Sequence, residues 1–130
     1  MSNYFSKIKG YLNDLGYSIN AENENEGYFV IDHEDEGIKN MVIVVDDPIL
    51  IMEQLLFTVK KDDVEMYKAL LKKNHDILHG AFVLSDDGKN VLFRDTLQVE
   101  NLDLNELAGS LNSLSLLLGE YSNEIIRFSA

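Results

Sequence analysis

The residues best suited to chemistry are few and far apart. His75 and His79 stand four apart with Asp76 between them, a spacing that on a helix would set two imidazoles on one face to hold a zinc ion. The segment Asn74-His-Asp-Ile-Leu-His-Gly80 reads instead as a connector entering a strand, and it lacks the glutamate of the H-E-x-x-H pattern. Two acidic stretches, Glu22 to Glu26 and Asp32 to Glu36, offer many oxygens without the alternating ligand order and distal glutamate of a calcium loop. They read as solvated turns, as does Asp86-Asp87-Gly88, whose glycine suits a positive φ. Nucleophilic or acid-base catalysis needs a serine or carboxylate beside a base in an apolar cleft. No serine here stands in a nucleophile-elbow context, and no glycine-rich loop follows a strand to cradle phosphate. With no cysteine, thiolate nucleophiles, thiolate metal sites and disulfides are excluded. The sequence predicts no enzyme activity and no catalytic, cofactor-binding or metal residue.

Charge narrows the partners. The 130 residues hold 23 Asp and Glu against 11 Lys and Arg, a formal charge of −12. Such a surface repels phosphate backbones and anionic headgroups, so neither nucleic acid nor membrane is an expected partner. The one basic cluster, Lys60, Lys61, Lys68, Lys72 and Lys73, suits either a landing site for an acidic segment or a solvated helix face. The opening Met-Ser-Asn-Tyr-Phe-Ser-Lys-Ile-Lys-Gly lacks the pattern of a signal peptide, and no apolar run reaches the ~18 residues of a membrane span. A cytoplasmic protein is expected. One proline, scattered glycines and no low-complexity stretch leave a domain boundary nothing to rest on, so residues 1–130 are expected to fold as a single domain.

The elements that would position these residues follow from periodicity. Asn3 to Leu15 has the spacing of a helix, with Ser2 or Asn3 as cap and Gly16 as its end. Alternation then predicts strands at Tyr17 to Ala21 and Tyr28 to Ile31, with a third at Ile38 to Val45. Asp46-Asp47-Pro48 breaks the run, and Ile49 to Val59 resumes as a further strand, although its length also suits a helix. Asp62 or Asp63 caps a second helix reaching about Asn74. Ala81 to Leu84 and Val91 to Val99 form a hairpin around an Asp-Gly turn. Asp103 and Glu106 suggest a capping box opening the last helix, whose seam is Leu104, Leu107, Leu111, Leu114, Leu118, Tyr121 and Ile125. The fold class is α+β, an antiparallel sheet of five or six strands with three helices, in the order α-β-β-β(-β)-α-β-β-α.

Apolar residues exceed what one covered sheet face needs. Met41 to Val45 and Ile49 to Met52 are unbroken apolar runs, and an antiparallel sheet wet on one side should alternate. On the second helix Val64, Met66, Tyr67, Leu70 and Leu71 sweep about 160°, wider than the stripe that rests on one sheet. Either the helices divide between the two faces of a wrapped monomer, or apolar surface is left for another chain. The second reading puts a dimer or partner surface at Met66, Leu70, Phe82 and Leu84.

Leu70-Leu71-Lys-Lys-Asn74, the strand Gly80-Ala-Phe-Val-Leu84, the Asp87-Gly88 turn, the strand Val91-Leu-Phe-Arg94 and the leucine-rich helix opening at Asp103 together resemble the YbjN-like and type III secretion chaperone-like (CesT/Tir chaperone-like) families. The resemblance spans nearly the whole chain and rests on core and turn residues. It implies a secretion-chaperone-like fold, often dimeric, and a small acidic non-enzymatic protein that binds an extended segment of a client. The extended segment between Ile38 and Val59 places the chain nearer the YbjN-like branch, which is regulatory or of unknown role. The expected function is a homodimeric protein-binding module. The alternatives are a regulatory domain sensing a small molecule between the last helix and the sheet, and a domain that only self-associates.

Overall fold

Helix α1 (Tyr4–Asp14) presents Phe5, Ile8 and Leu12, spaced three and four apart, to the protein interior. It stops at Gly16, whose φ of +84° lets the Tyr17 N–H turn back to the Leu12 carbonyl at 3.0 Å. The structure, a computed structural model, describes residues 4–129, so a cap at Ser2 or Asn3 lies outside the described residues.

Six strands follow: β1 (Ser18–Asn23), β2 (Tyr28–His33), β3 (Ile38–Asp46), β4 (Ile49–Thr58), then β5 (Ala81–Leu84) and β6 (Asn90–Gln98) after helix α2 (Val64–Asn74). They form one antiparallel sheet in the order β1-β2-β3-β4-β6-β5. Ile49 to Thr58 is a single strand, and Asp47-Pro48 is the two-residue corner that sets Asp46 opposite Ile49. Gly37, at φ +76°, closes a single 3-10 turn at Glu34–Glu36 between β2 and β3. Gln54 on β4 is buried beside it. Its carboxamide donates to the Gly37 carbonyl at 3.1 Å and accepts the Lys39 N–H at 3.1 Å, pinning the start of β3.

Every buried strand residue lies on one face of the sheet. Across the register Phe29 stands opposite Ile43, Ile43 opposite Met52 and Phe82 opposite Phe93, and all of these are buried. All three helices lie on that face. The rings of Phe5 and Phe29 stack with centroids 4.2 Å apart, α2 inserts Met66 and Leu70, and α3 (Leu104–Ser129) inserts Leu107, Leu111, Leu114 and Leu117. The helices therefore do not divide between the faces. Val30, Val42, Val44, Ile51, Leu55 and Leu92, which point the other way in the register, are all half-buried or exposed. The unbroken apolar runs feed both sides of a sheet covered on one.

Two local expectations about α3 are refined. The Glu106 N–H bonds the Asp103 carboxylate at 2.7 Å, which is the forward half of a capping box. Leu117 rather than Leu118 takes the buried place after Leu114, because at 3.6 residues per turn a long helix drifts off a strict 3,4 seam. No helix among the described residues is long and apolar enough to cross a membrane.

Candidate interaction surface

The surface predicted from sequence sits where α2 meets the edge strand β5. Asp63 caps α2, its carboxylate accepting the N–H groups of Glu65 at 3.0 Å and Met66 at 3.4 Å. That start aims Met66 and Leu70 at the sheet and leaves Val64 and Leu71 on the outer side. Met66 is 2 % and Leu70 7 % exposed, against 70 % for Leu71. The wide apolar arc is thus half core and half surface.

Of the four residues singled out from sequence, Met66, Leu70 and Phe82 are buried within the chain, and Leu84 is 47 % exposed. The structure brings three of them together. Leu70, Phe82 and Leu84, with Tyr67, Leu71, Asn74, Val83 and Val91, line a half-open cavity of about 210 Å³ that is almost wholly carbon-walled. Met66 is not among its lining residues. Exposed Leu71 and half-buried Val83 complete the apolar wall begun by the four-residue set. The signal for Leu71 was its place in the arc, whereas for Val83, a strand residue pointing away from the core, no sequence signal stood out.

Side chains around the cavity are paired with one another. The Tyr67 hydroxyl donates to the Asp62 carboxylate at 2.9 Å, which raises its pKa above the ordinary phenol range. Lys73 pairs with Glu124 and lies 4.6 Å over the Tyr121 ring, whose other neighbour is the Phe82 ring at 6.3 Å. Partial burial raises the Tyr121 pKa, with the nearby Glu120 charge adding to it. These contacts tie α2, α3 and β5 into one unit. Exposed Lys68 and Lys72 run along α2, and exposed Asp86 and Asp87 occupy the turn that follows Leu84.

The other motifs gather no chemistry. His75 and Asp76 form an exposed pair at 3.3 Å, and His79 lies in the connector to β5 beside Leu78, which is 92 % exposed. Among the described residues no three or more of His, Cys, Asp and Glu come together as a metal-ion cluster. Asp32 accepts the Asn40 N–H at 2.6 Å, a bond that lowers its pKa, so this acidic stretch serves to shape the turn into β3.

Comparison with known proteins agrees with this architecture. A family model described as CesT_Tir_1 matches residues 1–130. Among curated proteins none matches. Among solved structures, YbjN from E. coli, described as a proposed transcription regulator, is 17% identical with a TM-score of 0.69, covering 92% of each chain. The HopA1-SchA chaperone-effector complex is 14% identical with a TM-score of 0.67, over 93% of this chain and 95% of that one. The Yersinia pestis type III secretion chaperone SycH, in complex with a stable fragment of YscM2, is 17% identical with a TM-score of 0.58, over 97% and 99%.

Proposed function

The chain belongs to the CesT_Tir_1 family, and from that premise we propose that it is a non-enzymatic, chaperone-like protein-binding module that acts in the cytoplasm as a homodimer and engages a segment of a partner protein. The observation that carries this reading is the carbon-walled cavity between α2 and β5, with Leu71 exposed at its rim. Apolar surface gathered in one concave place marks a protein contact more often than scattered leucines do. A two-fold contact lays one patch on its own copy. Exposed Lys68 and Lys72 on α2 and exposed Asp86 and Asp87 after β5 are opposite charges that such a contact could pair between protomers.

The partner segment belongs on the open sheet face, where Val42 and Leu55 are exposed beside the ion pair of Arg94 with Glu53. Two relatives of the same fold are a chaperone-effector complex and a secretion chaperone bound to a fragment of another protein, which supports the reading by analogy. The small-molecule alternative needs space between α3 and the sheet, where Leu107, Leu111 and Leu114 are fully buried. Mass by light scattering on gently purified protein, with mass spectrometry of what co-elutes, tests the proposal. A dimer carrying one dominant protein is expected, and a bare monomer at all concentrations would remove it.

A further inference from the structure

We propose that the Asn74 carboxamide is a strand mimic that locks the outer edge of β5 and keeps a second copy of this chain from adding to the sheet there. β5 is an edge strand, bonded to β6 on one side and, among the described residues, to no strand on the other. The Phe82 N–H donates to Asn74 Oδ1 at 2.8 Å, and Asn74 Nδ2 donates to the Phe82 carbonyl at 3.1 Å. One residue thus spends both backbone groups on one side chain, in the paired pattern that a neighbouring antiparallel strand would provide. Backbone alternation then leaves Ala81 and Val83 to bond β6, opposite Arg94 and Leu92.

The lock is held from behind. Asn74 is the last residue of α2, whose Leu70 is buried against the core and whose Lys73 is paired with Glu124 of α3. The edge it guards has the sequence Ala-Phe-Val-Leu, with no charge and no proline to discourage pairing. That same sequence makes β5 of another copy the occupant to expect. The far edge is guarded by other means: β1 has a register break between Ile19 and Ala21 and carries Glu22. The lock concerns the backbone edge and holds whether or not the protein dimerises through its side chains.

Hydrogen exchange and mass in solution test it separately from the dimer. In the unsubstituted protein the Phe82 amide is expected to be protected although it faces away from β6, and exchange as fast as a free amide overturns the proposal. In Asn74→Ala that amide should exchange about tenfold faster or more, while the Met66 to Leu70 amides of α2 hold theirs. Species heavier than those of the parent should appear as concentration rises. Asn74→Asp, which keeps an acceptor and loses the donor, should fall between. Adding Ala81→Glu to Asn74→Ala puts a charge on the same edge, at a residue outside the cavity lining, and should abolish the heavier species. Unchanged Phe82 protection in Asn74→Ala, or assemblies that persist with the added charge, would overturn the lock.

Discussion

The ring of Phe93 fills the space that a side chain on Gly80 would need. A Cβ built on Gly80 would collide with the Cζ and Cε1 atoms of Phe93, and Gly80 itself is at φ +84°. The glycine therefore does two jobs as it delivers β5: it takes the left-handed turn and lets the backbone close on a core ring.

Gly80→Ala should accordingly destabilise the fold by about 2 kcal/mol or more, through strain and overlap together. Gly88, at φ +73° with nothing within 4 Å of its would-be Cβ, should cost only about 1 kcal/mol on the same change. Urea denaturation of both variants separates the terms, and equal losses would mean that Phe93 moves aside freely.

Leu111 and Leu114 are fully buried beneath α3. Each Leu→Ala change should cost about 2 to 5 kcal/mol, the lost burial plus the cavity left behind. Leu116→Ala, on the exposed side of the same helix, should stay within about 0.5 kcal/mol. The contrast is readable from denaturation midpoints.

Exposed Leu71 and Leu84 are the residues by which to test self-association. Leu71→Lys and Leu84→Lys should leave the fold intact and shift the mass in solution to that of the monomer. Met66→Lys buries a charge and should unfold the protein instead, since an isolated buried ion is costly. A dimer mass that survives both lysine variants would move the contact elsewhere.

Gln54 is the buried amide that bridges Gly37 and Lys39. Gln54→Leu keeps the volume but strands one N–H and one carbonyl, at a cost of roughly 1 to 3 kcal/mol for each group that water does not reach. Faster amide exchange at Lys39 than in the parent is the local signature; unchanged exchange there would remove Gln54 as the pin of β3.

Tyr17 gives a pH dependence with a defined sign. Its hydroxyl donates to Glu36 at 2.9 Å, and burial first, then that carboxylate, raises its pKa above the ordinary phenol range. A raised folded-state pKa means that the unfolded chain releases this proton first. The contribution is complete below the unfolded pKa near 10 and is lost as pH climbs toward the folded one. Stability measured between pH 8 and 11 (roughly the range bracketing a free phenol) should fall more steeply in the parent than in Tyr17→Phe. Parallel curves would refute the coupling.

Much of this architecture was legible in the order of polar and apolar residues. Gly16 marked the end of α1, Asp63 the start of α2, Asp87-Gly88 the hairpin and Leu107 to Leu114 the buried seam, because each is a local rule. The placement of all three helices on one face was not legible. Met41 to Val45 reads the same whether its outward valines meet a helix or water, and periodicity does not say which face a helix takes. Leu70, Phe82 and Leu84, grouped in sequence, line one cavity that Met66 does not reach, and the depth of each is set by tertiary packing, which periodicity does not encode. The Asn74–Phe82 pairing joins residues eight apart across an irregular connector, a contact no spacing rule encodes.

The one-sided sheet also bears on the protein's birth. Synthesis runs from the N-terminus at about 5 to 20 residues per second, and α3 is the last described element to emerge. Until it does, the strand pairs of β1 to β4 can assemble from neighbouring sequence, but the side holding Ile43 and Met52 lacks Leu107, Leu111, Leu114 and Leu117 and has only α1 and α2 to shelter it. The nascent chain must therefore wait with part of its greasiest surface bare. Translational pausing shortly before Leu104 should lengthen that interval and raise the fraction lost to aggregation, whereas synonymous changes that leave the rate there unaltered should not.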